Sequence, residues 1–246
     1  MKPDISGCMN YGVEKVKDNP SFYILGFFLV AGIGVGFKLL AQGAAFMFNL
    51  LVLQSILGIG RKAATVPEHI AAAVIGIVLG FFLAPFLVGY FRGLRKEYEG
   101  GAAEPLDVLL GVDVLTSSVS NFALASLMVI LGFILLIIPG IVLAPILPLT
   151  IFFLAKGETY GLDALRKAIM TLKKNPFLIA WNLVFLILIA IGTAAFFIKL
   201  IFALLLLPAL LVVAPVFTCA TYMLFEQLTD DPASDEKEQN YRRMAD

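Results

Sequence analysis

The sequence predicts an all-α fold, a polytopic bundle of transmembrane helices, on three observations. Hydrophobic residues make up 60% of the 246 residues and charged residues only 15%, whereas soluble domains carry about 25% charged residues. The mean hydropathy is +0.95. The stretch from Val114 to Ala155 contains no Asp, Glu, Lys or Arg in 42 residues. This stretch is long enough for two spans, since one span needs about 20 apolar residues.

Apolar runs of spanning length recur along the chain between 20 and 228. Asn-Pro at 19–20 and at 175–176 opens two of them, because proline is favourable in the first turn of a helix. Pro139-Gly140 divides the longest run, and we predict a short outer turn there because this pair breaks helices. The result is six spans arranged as three helical hairpins. The spans are predicted near residues 21–40, 67–91, 117–138, 140–156, 176–198 and 200–225.

Residues 39–60 carry no charge and are long enough to cross, but Gln, Asn and Gly side chains dilute their hydrophobicity. If they do not cross, fourteen of the 18 Lys and Arg residues fall on one side of the membrane. The positive-inside rule makes that side cytoplasmic. We therefore predict a re-entrant or interfacial segment at 39–60 on the outer face. Both termini are predicted to be cytoplasmic, and the location is the inner membrane of a bacterium.

The polar segments between the spans are predicted to lie in the cytosol. Apolar and charged residues occupy opposite helical faces at 106–110 and 157–174, which indicates amphipathic elbow helices on the membrane surface. Residues 1–19 form a polar segment with a short interfacial helix at 11–17, and 229–246 have too few apolar residues to fold. Candidate contacts for lipid headgroups are the cations at this edge: Arg92, Arg95, Lys96, Arg166, Lys167, Lys173 and Lys174.

An aliphatic residue followed by Ala-Pro occurs once in each even-numbered span, which suggests a threefold repeat of two spans. The three prolines are Pro85, Pro145 and Pro215. Because proline removes a helical hydrogen bond, each is a candidate for a kink that helps to form a cavity. The alternative is that helix packing accommodates all three without a functional consequence.

Small residues four apart let helices approach closely in lipid. Gly32 and Gly36 in the first span, and Gly76 and Gly80 in the second, have this spacing. They are candidate packing residues, within the chain or between the copies of a homo-oligomer.

The residues that usually carry chemistry are sparse. His69 is the single histidine, and Cys8 and Cys219 are 211 residues apart, so we predict no catalytic residue, metal site or cofactor. Asn121, Trp181 and Asn182 are interpreted as interfacial anchors or inter-helix hydrogen-bonding groups. The formal net charge is zero, which argues against a nucleic-acid partner. Membrane lipids are the predicted partners.

Three short motifs support a resemblance to a family. They are Pro-Gly-Ile at 139–141, Ala-Leu-Arg-Lys at 164–167 and Lys-Asn-Pro at 174–176. Over about residues 11–228 the chain resembles uncharacterised bacterial six-helix integral membrane proteins. These are similar to the membrane domain fused to some glycerophosphodiester phosphodiesterases. The resemblance implies a helical bundle with cytosolic elbows and brings no catalytic residues, because the phosphodiesterase chemistry belongs to a separate soluble domain.

Two functions remain open from the sequence. The first is a non-enzymatic membrane protein that binds or moves a lipid or small apolar solute through a cavity between proline-kinked helices. The second is a membrane scaffold or assembly protein that acts through helix–helix self-association. An intramembrane enzyme would need two polar groups meeting within the bilayer, and the sequence shows no acid, base or nucleophile pair at that depth.

Overall fold

The computed structural model describes residues 4–50, 61–158, 161–184, 187 and 200–229, with the backbone alone for 61–66 and 200–211. These residues form α-helices and no strand. The helices are α1 (Ile5–Asp18), α2 (Phe27–Phe48), α3 (Arg61–Phe81), α4 (Ala84–Tyr98), α5 (Leu115–Leu135), α6 (Ile137–Leu143), α7 (Ile146–Ala155), α8 (Asp163–Lys174), α9 (177–184) and α10 (Leu200–Thr229). A π-helical segment, Ser21–Gly26, precedes α2, and a 3₁₀ helix, Pro105–Val114, precedes α5.

Helical stretches of the described residues are long and apolar enough to cross a membrane in five places. The all-α class is thus confirmed, and the apolar helices are compatible with a membrane location. Most of the predicted fifth span (176–198) and of the predicted disordered tail (229–246) lies outside the described residues. The five stretches are Ser21–Phe48, Pro67–Tyr98, Pro105–Leu135, Ile137–Ala155 and Val212–Thr229.

The first apolar helix is longer than the predicted span. It covers 28 residues, Ser21–Phe48, or about 42 Å at 1.5 Å per residue. A hydrocarbon core is about 30 Å thick, so this helix must tilt or project beyond it. Residues 39–48 therefore continue α2 and do not begin a separate segment, while 51–60 lie outside the described residues.

Two of the three candidate prolines coincide with helix breaks. α3 ends at Phe81 and α4 begins at Ala84, with Pro85 in its first turn. Pro145 is the N-cap of α7, and Ala144, the C-cap of α6, directly precedes it. Proline costs little at these places because the first N–H groups of a helix have no intrahelical partner. Pro215 differs, since it lies inside the unbroken helix α10.

The predicted turn at Pro139-Gly140 is wrong by a few residues. The break falls at Leu136, whose backbone is extended (φ −163°, ψ 146°), and α6 begins at Ile137. Pro139 then stands in the first turn of α6, where proline is tolerated. Gly140 serves close packing instead of a turn. Its Cα would be 3.0 Å from a Cβ on Gly132, so the pair of glycines allows α5 and α6 to touch.

The two amphipathic helices pack against protein. Cys8, Gly12 and Val16 form the buried face of α1, and a Cβ on Gly12 would overlap the carbonyl oxygen of Val216 in α10. The buried face of α8 packs against α7 and α5. The expectation that their apolar faces lie on lipid is therefore wrong for α1 and α8, because other helices of the chain cover them.

Candidate ligand cavity

A cavity of about 290 Å³ lies among α2, α4, α5, α7, α9 and α10. Its walls are mainly aromatic and aliphatic, and among the described residues that line it none carries a charge. The polar lining residues are Asn182, Thr218, Thr221, Tyr90 and Trp181. Concave, mostly apolar sites with a few polar groups are typical of small-ligand binding.

The start of α7 forms one wall of the cavity. Pro145 and Pro148 both line it, and both stand at or within the first turn of α7, where a missing N–H breaks no helical bond. Pro85 and Pro215 are buried elsewhere in the chain and are not among its described lining residues. Of the three prolines predicted to help form a cavity, only Pro145 is among its described lining residues.

An aromatic pair forms the facing wall. The rings of Trp181 and Phe217 are stacked, with centroids 4.7 Å apart and planes inclined by 13°. The indole Nε1 of Trp181 donates to Oγ1 of Thr221 at 2.9 Å, and this hydroxyl donates to the carbonyl of Phe217 at 2.7 Å. Since its polar atom is satisfied, Trp181 acts as a rigid wall that joins α9 to α10.

Asn182 is a polar lining residue with hydrogen-bonding capacity that the described residues leave unused. Its side chain is 9% exposed, and its amide makes no hydrogen bond to any described residue. Thr218, by contrast, donates its hydroxyl to the carbonyl of Ala214 at 2.8 Å. The sequence drew attention to Asn182 only as an anchor or an inter-helix hydrogen-bonding group, because its bonding state depends on tertiary structure.

A partly buried ion pair joins the ends of α7 and α10. Lys156 Nζ pairs with the carboxylate of Glu226, which is 4% exposed. The Tyr222 hydroxyl donates to the same carboxylate at 2.6 Å. Next along α10, Phe225 lines the cavity and packs edge-on against Phe152. Charges at this end are thus matched with each other and separated from the cavity by an aromatic layer.

A second buried carboxylate ties the entry of the first apolar helix to α4. Glu97 Oε1 accepts hydrogen bonds from Asn19 Nδ2 and from the backbone N–H of Ala103, both at 2.7 Å. Asn19 Nδ2 also donates to the carbonyl of Ala103 at 2.9 Å. Two hydrogen bonds to one buried carboxylate, with a third between its two partner residues, indicate a structural role for Glu97.

The N-terminal helix buries two titratable side chains outside the spans. Burial, and to a smaller degree the charge of Asp4, raises the pKa of the Cys8 thiol. Burial also raises the pKa of Tyr11, whose hydroxyl has no hydrogen-bond partner among the described residues. Among those residues no three His, Cys, Asp or Glu side chains could hold a metal ion together.

Most of the candidate headgroup cations have partners in the same chain. Arg92 pairs with Asp113 at 2.7 Å and Arg95 with Glu99 at 2.7 Å. Lys96 pairs with Asp107 at 3.2 Å and Lys167 with Glu158 at 2.6 Å. Arg166, Lys173 and Lys174 are exposed on α8. Internal pairing reduces the positive field at the first four, which leaves the three α8 cations as the better candidates for headgroup contact.

The candidate packing glycines and the observed packing glycines are different sets. A Cβ on Gly32, Gly36 or Gly80 would meet no described atom within 4 Å, and one on Gly76 would meet the Cβ of Ala41 at 3.8 Å.

The closest approaches occur where the 3₁₀ helix lies on α4. A Cβ on Gly89 would overlap the carbonyl oxygen of Val108, and one on Gly111 would overlap that of Pro85. Gly89 has the four-residue spacing, with Gly93 as its partner, but Gly111 has no glycine at that distance. The spacing alone does not reveal that both glycines meet a backbone carbonyl where the 3₁₀ helix packs on α4.

Protein-family models, curated proteins and solved structures offer no match to this chain. The resemblance to six-helix membrane proteins therefore stays a prediction. Any functional conclusion rests on the cavity and on the residues that line it.

Proposed function

We propose that this protein binds the apolar chain of a lipid, or a small apolar solute, in the cavity between α7, α9 and α10. The proposal rests on a cavity of about 290 Å³ among six helices, whose described lining residues carry no charge. No chemical step is part of the proposed function.

The dimensions of the cavity favour one chain over a whole phospholipid. A water molecule occupies about 30 Å³ in the liquid, and a methylene group is of similar size. About ten carbon atoms therefore fill the space, which corresponds to part of a single acyl or isoprenoid chain.

The membrane arrangement is part of the same proposal. Six spans with both termini on the cytoplasmic face of a bacterial inner membrane would place fourteen of the 18 Lys and Arg residues in the cytoplasm. The Lys156 end of α7 would then face the cytoplasm, and the cavity would lie in the cytoplasmic half of the bundle.

Trp181 is the only tryptophan in the chain, and it lines the cavity. Its fluorescence therefore reports on occupancy, because bromine quenches an indole that it contacts. Protein in lipid nanodiscs would be titrated with 1-bromodecane. We expect saturable quenching at a low mole fraction of bromodecane in the lipid.

A pair of variants separates the cavity from the surrounding lipid. Leu147→Phe fills space in the cavity wall and should abolish the saturable component. Leu131→Phe adds the same volume at a side chain that is 55% exposed, and it should leave the component unchanged. Quenching that rises linearly, and equally in all three proteins, would show partition into lipid only and contradict the proposal.

The scaffold function is supported by one observation. The described residues leave Gly32, Gly36 and Gly80 with open space where a Cβ would point, so a helix of a second copy could approach there. Gly36→Leu would then reduce the mass of the particle in mild detergent. A particle of unchanged mass would argue against self-association through this face.

A further inference from the structure

We propose that the cavity selects a single-chain amphiphile with one uncharged hydrogen-bonding group, and that the amide of Asn182 binds this group. The inference rests on the proposed function and specifies the ligand class. Fatty alcohols, monoacylglycerols and the ester carbonyl of a lipid chain belong to this class.

Asn182 and Asn121 differ in the hydrogen bonds that their side-chain amides make. Both asparagines are buried in apolar helices, at 9% and 0% exposure. The amide of Asn121 donates to the carbonyl of Gly161 at 2.8 Å and accepts from the N–H of Leu165 at 3.2 Å. The amide of Asn182 has no such bond to the described residues and lines the cavity. A buried amide is stabilised only when its bonds are made, and here a ligand can make them.

The hydroxyl donors next to Asn182 already have acceptors within the protein. The hydroxyl protons of Thr218 and Thr221 are donated to backbone carbonyls of α10. The Tyr90 hydroxyl lies 3.4 Å from the carbonyl oxygen of Tyr23. Asn182 therefore supplies the uncommitted N–H donors of the described wall, and its carbonyl adds an acceptor. A ligand hydroxyl can use both, and a ligand carbonyl can use the donors.

The cavity disfavours a ligand with a charged group. None of the described lining residues carries a charge, and the charges of Lys156 and Glu226 at the end of α7 compensate each other. A carboxylate or ammonium in the cavity would lose its hydration without a counter-ion, which is strongly unfavourable. An uncharged group loses less hydration and recovers its hydrogen bonds at Asn182.

The test displaces bromodecane from wild-type protein with three ten-carbon competitors and follows the recovery of Trp181 fluorescence. The competitors are decane, 1-decanol and decyl sulfate, with concentrations expressed as mole fractions in the nanodisc lipid. We expect 1-decanol to compete at least tenfold better than decane, and decyl sulfate to compete less well than either.

Asn182→Leu keeps the approximate size of the side chain and removes its hydrogen bonds. In this variant decane and 1-decanol should compete equally, and continued saturable quenching by bromodecane shows that the cavity is intact. If the variant does not fold, the order of the three competitors on the wild type still decides the inference.

Each other outcome is decisive. Equal competition by decane and 1-decanol on the wild type overturns the role of Asn182 and leaves the proposed function standing. Stronger competition by decyl sulfate overturns the uncharged ligand class. A lack of saturable quenching by bromodecane itself overturns the proposed function and this inference together.

Discussion

The side-chain oxygen of Asn121 accepts a hydrogen bond from the backbone N–H of Leu165 at 3.2 Å, across 44 residues of sequence. Leu165 lies in the first turn of α8, where N–H groups have no partner within the helix. The same amide donates to the carbonyl of Gly161 at 2.8 Å. One side chain of α5 thus performs the function of an N-cap for α8, whose own N-cap residue, Leu162, offers no side-chain bond.

Asn121→Leu should destabilise the bundle, because it leaves the buried backbone N–H of Leu165 without its partner. A buried unsatisfied donor costs about 1–3 kcal/mol. Thermal unfolding in detergent measures the loss as a lower midpoint. Ser120→Ala is the matched control, since Ser120 is an exposed neighbour on the same helix, and its midpoint should stay near that of the wild type.

The partly buried pair of Lys156 and Glu226 predicts a coupling between the two sites. Lys156→Met removes the counter-ion of a carboxylate that is 4% exposed, so this variant should lose about 3–5 kcal/mol. Glu226→Leu should cost less, because the Lys156 side chain is 24% exposed and also lies near Oγ1 of Thr229 and the Phe152 ring. The double variant should recover much of this loss, which a double-mutant cycle on unfolding free energies would measure.

A surface pair provides the comparison for that cycle. Glu99→Gln removes the partner of Arg95, and both side chains are well exposed, so the cost should stay within about 1 kcal/mol. Additive losses at Lys156 and Glu226 would show that the buried pair contributes no coupling.

Glycine substitutions should have opposite consequences at close-packed and open positions. Gly89→Ala and Gly111→Ala place a Cβ on a backbone carbonyl oxygen, so both should push the 3₁₀ helix off α4 and lower the unfolding midpoint. Gly32→Ala meets no described atom within 4 Å and improves helix propensity by about 1 kcal/mol. Its midpoint should be equal or higher, and a strong loss there would reveal packing by a helix outside the described residues.

Cys8 predicts a pH-dependent labelling rate. Only the thiolate is nucleophilic, and the raised pKa of Cys8 reduces the thiolate fraction at a given pH. In a Cys219→Ser variant, alkylation of Cys8 should therefore be slow in the folded protein, and the alkylation rate should rise at a higher pH than it does for free cysteine. Denaturation should abolish both differences. If Cys8 in the folded protein reacts as fast as free cysteine, its buried position is contradicted.

The proposed orientation, with both termini on the cytoplasmic face of a bacterial inner membrane, predicts the reaction of single cysteines with an impermeant maleimide. In a background without Cys8 and Cys219, cysteine at Arg166 should react only after bacterial cells are opened. Cysteine at Gln42 should react in intact cells. Both positions are exposed, so the difference reports the side of the membrane. The reverse pattern would place the termini outside.

The sequence was sufficient for the all-α class because its long apolar runs match the length of membrane-spanning helices. A chain with 15% charged residues cannot cover its apolar surface with a polar shell, and in lipid a helix satisfies its own backbone. Kinks were predicted at Pro85, Pro145 and Pro215, but only the first two coincide with helix breaks and Pro215 lies inside α10. The position of the break near Pro139 could not be predicted in this way. A proline in the first turn of a helix does not interrupt it, and α6 begins at Ile137 because Gly132 and Gly140 allow α5 and α6 to touch.

The partners of surfaces and charges could not be predicted from local sequence. The apolar face of α1 or α8 must be covered, but the sequence pattern of such a face does not show whether lipid or another helix covers it. Arg92 and Lys96 find Asp113 and Asp107 through the packing of the 3₁₀ helix on α4. Asn182 illustrates the same limit, since an asparagine in an apolar helix has the same sequence signature whether its amide is satisfied or open to a cavity.

The packing of α1 on α10 has a consequence for biosynthesis. The backbone N–H of Asp4 donates to Gln227 Oε1 at 3.3 Å, and these residues are 223 positions apart. The ribosome makes α1 long before α10, so Gly12 has no packing partner at Val216 until α10 has been synthesised. The hydrophobic face of α1 must therefore be covered by lipid or by an insertion factor during that interval. Docking of α1 has to follow the synthesis of α10, and a chain that stops before Val216 should leave α1 without its docking site.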